Sequence, residues 1–231
     1  MSENHGIDLV RRFFAGTGDS YDHVVNLCTI GMDRGWKKRI VKKIPRQSTM
    51  IMDLACGTGI LTFRIARTFS SAHVVGVDVT PEYLDVARGK VGGQPTGNVE
   101  FILSRAEDVC LQQGFDCIVS SYLAKYAELP ILVAHGREML RRGGVFVMHD
   151  FTYPPNRTFA RLWEFYFVLL QTAGARRYPE WKAAFDGLPE LLRRTAWVQE
   201  LTTHLHENGF SGVTLELLTF GTSAIVSATK P

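Results

Sequence analysis

The sequence predicts an α/β fold in which a mostly parallel, seven-stranded sheet carries helices on both faces and ends in an antiparallel hairpin. Short apolar runs typical of buried strands alternate with longer segments whose apolar residues recur at helical spacing. A glycine turn joins the first of these strands directly to a helix. Strands that alternate with helices form parallel sheets, because each helix returns the chain to the same end of the sheet.

Length and composition indicate an ordinary globular protein. The 231 residues are 45% hydrophobic and 21% charged, which is enough for one sizeable core. We expect a helical lid or cap at residues 1–47, then one domain at residues 48–231 with a helical insertion on its substrate side at about residues 155–195. The net charge of +3 does not favour a nucleic-acid partner.

The cysteines and the lack of long apolar runs predict a cytoplasmic protein. The four cysteines show no zinc spacing, so we expect no metal site. Residues 1–8 are too polar for a signal peptide, and no apolar run reaches the roughly 18 residues that a membrane span needs. Any membrane contact would therefore be peripheral. The sequence leaves the oligomeric state open.

The N-terminal region predicts two helices with an irregular stretch between them. Residues 7–16 have apolar side chains at helical spacing, and residues 35–44 repeat this with lysines and arginines on the remaining surface. That basic surface is either a solvated face or a contact with anionic lipid. The aromatics of residues 21–37 have no regular period. We predict that this stretch is a lid over a ligand, with Tyr21 and Trp36 as candidate contacts.

A strand, a glycine turn and a helix form the motif on which the functional prediction depends. Residues 50–54 predict a buried strand, Gly57-Thr58-Gly59 a tight turn, and residues 60–69 a helix. Asp53, at the strand end, would repel a pyrophosphate but suits a ligand that carries an amino group. Such a turn exposes bare backbone at a helix N-terminus. The predicted backbone contacts are Ala55, Gly57, Thr58 and Gly59.

A second acidic residue follows at the end of the next strand. Residues 73–78 predict a buried strand ending in Asp78, a position suited to binding ribose hydroxyls, with Val79 beside it. A dinucleotide is disfavoured because Thr62 occupies the third glycine position of G-x-G-x-x-G. An acid, Gly-x-Gly and a second acid at successive strand ends form the pattern for S-adenosylmethionine. We predict this cofactor, with S-adenosylhomocysteine as the product.

The third strand end is predicted to border the adenine. A helix opened by Pro81 and a glycine-rich loop at residues 92–97 precede a strand at residues 99–103. The residues after this strand either bind the adenine amine or cap a helix. The candidates for the amine are the backbone of Ala106 and the side chain of Glu107 or Asp108.

The fourth and fifth strands are predicted to carry the acceptor side of the site. The fourth, at residues 115–122, lies beside the first, so residues 120–126 form the floor and Ser120 is a further cofactor contact. The fifth, at residues 145–148, follows a helix at residues 129–140. Five side chains at these strand ends are candidates for positioning the acceptor or removing a proton: Asp150, Tyr126, Tyr122, His149 and Tyr153.

The C-terminal third predicts an aromatic segment, a helix and a hairpin. The aromatic-rich segment at residues 155–174 either forms a wall of a substrate cavity or covers the sheet as an ordinary amphipathic helix. Residues 197–208 predict the last helix, which ends at Gly209. Residues 213–218 and 223–228 predict the antiparallel hairpin.

Several motifs occur in order along nearly the whole chain. They are Tyr21-Asp22, Asn26, Gly31-Met32-Asp33-Arg34-Gly35-Trp36-Lys37, residues 53–62, Phe115-Asp116, Arg142-Gly143-Gly144, Asp150-Phe151-Thr152, Gly209-Phe210 and Thr219-Phe220-Gly221. This set resembles the ubiquinone/menaquinone biosynthesis C-methyltransferases, which are class I S-adenosylmethionine-dependent methyltransferases. The resemblance implies a Rossmann-like fold and methylation of a quinol carbon.

Three positions depart from the family's pattern. Asp33 replaces a histidine, Asn26 stands one residue late, and Tyr122-Leu123-Ala124-Lys125-Tyr126 replaces F-G-x-R-N in a segment that faces the acceptor. We expect a methyltransferase acting on a small aromatic or quinol-like acceptor, with C-methylation favoured. The alternatives are O- or N-methylation of another small molecule, and binding of the cofactor without turnover. A nucleic-acid substrate is disfavoured, because no N-P-P-Y-type sequence follows the fourth strand.

Overall fold

Seven strands form one mixed sheet in the computed structural model, which describes residues 5–91, 97–112 and 114–231. The strands are β1 (Met50–Leu54), β2 (His73–Asp78), β3 (Val99–Leu103), β4 (Phe115–Ser121), β5 (Leu140–Phe151), β6 (Ser211–Leu218) and β7 (Ser223–Thr229). Their order across the sheet is β3-β2-β1-β4-β5-β7-β6, and only β7 runs opposite to its neighbours. The predicted fold class and terminal hairpin are confirmed.

Helices cover both faces of this sheet and extend beyond its carboxyl edge. The helices of the described residues are α1 (His5–Phe14), α2 (Tyr21–Cys28), α3 (Met32–Lys43), α4 (Ile60–Thr68), α5 (Pro81–Val91), α6 (Leu129–Met139), α7 (Arg157–Leu169), α8 (Ala175–Arg177), α9 (Lys182–Arg194) and α10 (Trp197–Glu207). A π-helical turn, Leu170–Gly174, joins α7 to α8. The loop predicted at residues 92–97 lies, apart from Gly97, outside the described residues.

The central strand β1 pairs in parallel with β2 on one side and β4 on the other. The chain therefore moves outward to β3 on one side and crosses back over β1 to form β4. Connections leave the two sides in opposite directions at this switch point, which opens a crevice at the carboxyl ends of β1 and β4. This crevice contains the candidate site.

Alternate residues of the strands pack into separate cores on the two faces of the sheet. Met52 belongs to the core that contains Phe115 and Trp197, whereas its neighbour Ile51 packs with Ile40 of α3. A third apolar cluster lies off the sheet and joins α1, α2 and α9 through Phe13, Val24, Trp181, Ala184 and Phe185. The N-terminal helices are thereby fixed to the insertion after β5.

The prediction that residues 21–37 are irregular is wrong, because α2 and the start of α3 occupy this stretch. Val24 of α2 is buried against Phe13 of α1 and side chains of α9. This packing supplies what the local pattern lacks, since helices in proteins are stabilised mainly by tertiary contacts. The break between α2 and α3 comes at Ile30 and Gly31, which have φ values of 51° and 75°.

The basic surface of α3 also differs from the prediction. Lys37, expected on the solvated face, is buried and paired with Asp33 one turn earlier. Arg39 and Lys43 both pair with Glu216 on strand β6. The Glu216 pairs join α3 to strand β6, whereas Lys38 and Lys42 remain exposed.

The C-terminal elements lie close to their predicted positions. Strand β5 begins earlier than predicted, at Leu140, and passes through Gly143 with a φ of 77°. Helix α10 ends before Gly209, whose φ of 68° is the left-handed conformation common after helix ends. Among the helices of the described residues, none has the length and apolar character needed to cross a bilayer.

Candidate functional site

A cavity lies in the crevice at the carboxyl ends of β1, β2 and β4, and we call it the strand-end cavity. It encloses about 840 Å³, part of which is open to solvent. Helix α1 closes one side through Gly6, Ile7, Val10 and Phe14. Among the predicted cofactor residues, those on its wall are Tyr21, Ala55, Gly57, Asp78, Val79, Ala106 and Glu107.

The loop between β1 and α4 forms the floor of this cavity in an unusual backbone conformation. Ala55, Gly57 and Gly59 all have positive φ values, 55°, 57° and 84°. At Gly59 a Cβ atom would approach the ring of Phe63 to 2.6 Å, so only glycine fits. Ala55 lacks the conformational freedom of glycine, so its positive φ is strained. A strained non-glycine residue held in place by the fold is typical of functional sites.

Asp78 at the end of β2 holds this loop in place. One carboxylate oxygen accepts a hydrogen bond from the Gly57 amide at 2.8 Å, and the other accepts one from the Thr80 amide at 2.8 Å. Burial raises the pKa of Asp78, and these backbone bonds oppose the increase. An ionised carboxylate has about four lone-pair sites, and the side chain borders the cavity. Asp78 can therefore accept further hydrogen bonds from ligand hydroxyls.

Asp53 lies beneath the loop and is almost fully buried. Its carboxylate accepts a hydrogen bond from the Thr62 hydroxyl at 2.6 Å. Burial raises its pKa to about 7, despite the Thr62 bond and the positive charge of Lys37. A buried carboxylate with so little compensation favours a nearby cation.

Other predicted cofactor residues have structural partners and do not reach the wall of the strand-end cavity. The Thr58 hydroxyl donates to Asp22 on α2, and the Ser120 hydroxyl donates to the Leu54 carbonyl at 2.6 Å. Trp36 donates through Nε1 to Thr219 at 2.8 Å and lies on a second cavity. Helix α1 belongs to the segment predicted as a lid, but its individual residues on the wall were not among the predicted contacts, because its apolar spacing is that of any packed helix.

The second cavity, which we call the aromatic cavity, lies between the N-terminal helices and the insertion after β5. Its volume is about 1010 Å³, part of which is open to solvent, and its wall consists mainly of rings and aliphatic side chains. Its aromatic walls come from α1, α2, α3, the β4 end, the β5 end and the α7–α9 insertion: Phe13, Phe14, Tyr21, Trp36, Tyr122, Tyr126, Phe151, Trp163, Tyr166, Phe167, Trp181 and Phe185. Lys125 is the charged group on this wall.

Four aromatic residues lie on the walls of both cavities: Phe14, Tyr21, Tyr122 and Tyr126. The buried hydroxyl of Tyr126 has no hydrogen-bond partner among the described residues. Burial raises its pKa well above the usual value, and the charge of Asp150 adds to the increase. Tyr126 is therefore a protonated donor at neutral pH, and an unpaired buried hydroxyl is costly unless a ligand satisfies it.

Asp150 and Lys125 form a buried ion pair beside Tyr126. Lys125 Nζ lies 2.6 Å from Asp150 Oδ1 and 4.4 Å from the centre of the Tyr126 ring. Asp150 also accepts hydrogen bonds from the backbone amides of Lys125 and Phe151. Burial lowers the pKa of Lys125, although Asp150 opposes the decrease. The Asp150 carboxylate is thus committed to this pair and its backbone bonds.

Tyr122 is held by a second polar group from α3. Its hydroxyl donates to Asp33 at 2.7 Å, and Lys37, which is paired with Asp33, lies 4.8 Å from the ring centre. Burial raises the pKa of Tyr122 well above its usual value, and the Asp33 charge adds to this. Its φ of 75° is a further strained position at a strand end. Tyr122 therefore forms a fixed, protonated wall.

The structure places two other acceptor candidates away from both cavities. His149 is fully buried between the hydroxyls of Ser121 and Ser223, at 2.9 and 2.6 Å. Its pKa is lowered well below the usual value, first by burial and then by nearby lysines, so the ring is neutral. The Tyr153 hydroxyl donates to Glu164 on α7 at 2.9 Å. Both side chains stabilise the wall from behind.

The strand-end cavity has suitable groups for the predicted cofactor. Asp78 offers carboxylate oxygens to hydroxyls, and the loop offers bare backbone at Ala55 and Gly57. The predicted contacts Asp53 and Gly59 do not line this wall, and the Asp53 carboxyl is buried beneath the loop. Among the described residues, no cluster of three or more His, Cys, Asp or Glu side chains is placed to hold a metal ion.

The chain matches a family model and curated proteins along nearly its full length. The model for the "ubiE/COQ5 methyltransferase family" matches residues 2–230. A ubiquinone/menaquinone biosynthesis C-methyltransferase of Citrifermentans bemidjiense is 29% identical, over 96% of this chain and 97% of that protein. A demethylmenaquinone methyltransferase of Thermus thermophilus is also 29% identical, over 94% of this chain and 100% of that protein.

Solved structures share the fold at lower sequence identity. A phosphoethanolamine N-methyltransferase 2 of Haemonchus contortus, in complex with S-adenosylhomocysteine, superposes with a TM-score of 0.69 and 13% identity, covering 100% of this chain and 61% of that one. A methyltransferase of Methanococcus maripaludis, described as S-adenosylmethionine-dependent, gives 0.66 and 13%, covering 92% and 91%. At such identities the likeness concerns the fold alone.

Proposed function

The chain belongs to the ubiE/COQ5 methyltransferase family, and from this membership we propose that it methylates a ring carbon of a quinol. It is an S-adenosylmethionine-dependent methyltransferase, so the predicted cofactor and enzyme class are confirmed. The named relatives act on ubiquinone and menaquinone precursors. The proposal concerns the acceptor and the residues that contact it.

We assign cofactor binding to the wall of the strand-end cavity. Asp78 would accept hydrogen bonds from the ribose hydroxyls, and the negative charge of Asp53 would stabilise the amino group. Ala106 and Glu107, on the same wall, would border the adenine. When bound, S-adenosylmethionine supplies an electrophilic methyl group on a sulfonium. The surrounding protein excludes water and fixes the direction of approach.

The aromatic cavity is the observation that carries the acceptor assignment. Its wall is apolar and aromatic, which suits an aromatic ring and an isoprenoid chain, and it shares four rings with the strand-end cavity. An acceptor in it would lie directly beside the cofactor. A small polar amine would leave most of this wall uncovered, so the cavity favours an apolar aromatic acceptor over a polar one.

Polar groups at the junction of the two cavities would orient the acceptor ring. Tyr126 is protonated, so we assign it as a hydrogen-bond donor to a quinol oxygen. Lys125 is buried on the same wall, and its ammonium would stabilise negative charge that develops on that oxygen as the ring carbon reacts. Asp150 holds Lys125 in position and opposes the lowering of its pKa by burial. Each group thus binds or orients, and none is required to act as a free base.

The test is a methyl-transfer assay with reduced, short-chain quinols that lack one ring methyl group. We expect formation of S-adenosylhomocysteine and a product whose NMR spectrum shows a methyl group on a ring carbon. A phenol with a blocked ring carbon and a primary amine serve as acceptors for O- and N-methylation. Turnover of either of these, with none on any quinol, would contradict the proposal and identify a different small-molecule methyltransferase.

A further inference from the structure

Large apolar side chains are exposed on three separate elements around the aromatic cavity. Ile30, between α2 and α3, is 70% exposed, Phe165 on α7 is 62% exposed, and Phe220, between β6 and β7, is 69% exposed. Leu27 on α2 is also exposed. We call Leu27, Ile30, Phe165 and Phe220 the rim residues.

Direct contacts tie these three elements together at the cavity opening. The Tyr166 hydroxyl of α7 donates to the Cys28 carbonyl at the end of α2, at 2.9 Å. Phe159 of α7 stacks on Phe220, with ring centres 4.3 Å apart. The wall of the aromatic cavity includes Ile30, Tyr166 and Thr219. Ile30 is itself a rim residue, Tyr166 follows Phe165, and Thr219 precedes Phe220. The rim residues therefore surround one opening and do not belong to unrelated surfaces.

The backbone at two of these positions is strained. Ile30 and Phe220 have φ values of 51° and 57°, and Thr219, before Phe220, has 44°. Left-handed conformations are unfavourable for β-branched and bulky residues. Strained residues that also expose large apolar side chains to water are doubly unfavourable in an isolated protein, and such strain is typical of ligand or partner contacts.

Positive charge accompanies the apolar rim on α7. Arg157, Arg161, Phe165 and Val168 follow one another at spacings of four, four and three residues, so they share a face of the helix, and all four are exposed. Helix α3, which the sequence suggested as the membrane contact, instead directs Arg39 and Lys43 to Glu216. On α7, by contrast, Arg157 and Arg161 are exposed on the same face as Phe165, which is one of the rim residues.

We propose that the rim residues and the basic face of α7 dock on an anionic bilayer surface, with the opening of the aromatic cavity against the lipid. Phe165, Phe220, Ile30 and Leu27 would enter the interfacial region, while Arg157 and Arg161 bind lipid phosphates. An acceptor with an isoprenoid chain then enters the cavity without crossing water. The choice of lipid over a protein partner follows from the pairing of arginines with an apolar ring around a hydrophobic opening. It rests on the proposed function only for the identity of this acceptor.

The test is vesicle flotation of the full chain. With vesicles of equal phosphatidylcholine and phosphatidylglycerol, the wild-type protein should float at low salt, and it should float less at high salt or with phosphatidylcholine alone. The triple variant Leu27→Gln/Phe165→Gln/Phe220→Asn should lower the partition coefficient by about ten-fold or more, because each lost side chain removes apolar burial. Asparagine tolerates the left-handed conformation at position 220, so the fold is retained.

Controls separate docking from folding and from catalysis. Leu103→Gln removes a similarly exposed side chain, 54%, at the opposite edge of the sheet, and should float as the wild type does. The triple variant should methylate a water-soluble quinol at the wild-type rate. Phe165→Gln alone tests the rim if the triple variant unfolds.

Two results would overturn the proposal. The first is a triple variant that floats as well as the wild type. The second is a wild type that does not float and whose mass by light scattering is that of a dimer, with the triple variant a monomer, because the rim would then be an interface between two copies. Flotation without turnover of any quinol would instead refute the proposed function and leave the docking surface in place.

Discussion

Proton positions limit what each polar side chain near the acceptor can do. Burial keeps the hydroxyls of Tyr122 and Tyr126 protonated, and it keeps His149 neutral. Tyr122 already donates to Asp33, and His149 lies between two serines. Tyr126 therefore has the free donor among these three groups, and its contribution can be measured separately.

Replacing Tyr126 with phenylalanine should lower kcat/KM for the quinol by about ten-fold or more without weakening binding of S-adenosylhomocysteine. A hydrogen bond to a group that gains charge in the transition state is worth about 1.5–3 kcal/mol. The free energy of unfolding should not fall, because the hydroxyl has no partner to lose in the chain. Steady-state kinetics, calorimetry and thermal unfolding provide the three measurements.

Tyr166→Phe is the matched control, since its hydroxyl also borders the aromatic cavity but donates to the Cys28 carbonyl. It should lower the free energy of unfolding by about 1 kcal/mol with little effect on turnover. If Tyr126→Phe destabilised the protein and left kcat/KM unchanged, the Tyr126 hydroxyl would be structural and its assignment as donor would be wrong.

Asp53→Asn should stabilise the ligand-free protein at alkaline pH. The folded pKa of Asp53 is about 7, above the usual value, so the stability that this group contributes is present below about pH 4 and is lost as pH rises through about 7. Asparagine removes the charge and keeps an oxygen for the Thr62 hydroxyl. The gain should be about 4 kcal/mol at pH 8 and about 2 kcal/mol at pH 5.

The same variant should bind S-adenosylhomocysteine at least about ten-fold more weakly, if Asp53 stabilises its amino group. Urea unfolding at the two pH values and calorimetry measure the two effects. Asp116→Asn is the control. The pKa of Asp116 is lowered despite its partial burial, because the backbone amides of Thr49 and Met50 donate hydrogen bonds to its carboxylate. Removing this charge should therefore destabilise the protein. Equal stability of Asp53→Asn and wild type at both pH values would contradict the prediction for Asp53.

Side chains of α5 connect the loop between helices α1 and α2 to the sheet domain. Glu82 accepts hydrogen bonds from the Gly16 and Gly18 amides, at 3.2 and 2.7 Å, in the connection between the two helices. The Thr17 and Tyr83 hydroxyls, 2.5 Å apart, add a buried contact. Because α1 borders the strand-end cavity, we propose that this connection holds the described part of the predicted lid, residues 5–47, over the cofactor.

Glu82→Gln should accelerate amide hydrogen exchange in α1 by about three- to ten-fold, because it removes the charge from two hydrogen bonds. S-adenosylhomocysteine should slow exchange in α1 and α2 of the wild type, and less so in the variant. The control is Asp85→Asn on the same helix, because Asp85 contacts Arg88 on the surface. This variant should change neither the exchange rate of α1 nor the effect of S-adenosylhomocysteine on exchange. Protection of the β1–α4 loop alone on ligand binding would show that α1 and α2 are a fixed flank.

The accuracy of the sequence predictions follows how locally each element is determined. Strands β1, β2 and β3 were predicted to the residue, because short apolar runs between polar segments define a buried parallel strand. Helix α2 was missed because its burial depends on Trp181 and Phe185, which lie far along the chain. Lys37 was placed on the wrong surface because its pairing with Asp33 one turn earlier is equally compatible with an exposed face, and its burial depends on Tyr122, which lies far along the chain.

The site likewise has one side that the sequence predicts and one side that it does not. The cofactor side could be predicted because the ends of adjacent parallel strands must lie together, and Asp78 and Ala106 occupy the wall as a result. The aromatic cavity could not be outlined, since its walls come from α1, α2, α3 and the insertion, whose arrangement no periodicity encodes. His149 was an acceptor candidate by strand position, yet the direction of its side chain depends on Ser223 of the distant strand β7.

The four rings shared by the two cavities should couple cofactor binding to acceptor binding. Phe14 packs edge-on against Tyr21, Tyr126 and Trp181, with ring centres 6.0–6.4 Å apart, so a ligand that fixes one cavity wall also fixes part of the other. S-adenosylhomocysteine should therefore raise the affinity for a ring-methylated quinone product by about five-fold or more. Linkage requires the quinone to raise the affinity for S-adenosylhomocysteine by the same factor.

Titration calorimetry in both orders of addition measures this factor, and two variants locate its origin. Phe14→Leu keeps the wall apolar but removes the edge contacts, so it should reduce the factor toward one. Leu188→Ala, on the wall of the aromatic cavity alone, should weaken quinone binding and leave the factor unchanged. A factor of one in the wild-type protein would mean that the cavities bind independently, and the shared rings would then separate the two ligands without transmitting the state of one cavity to the other.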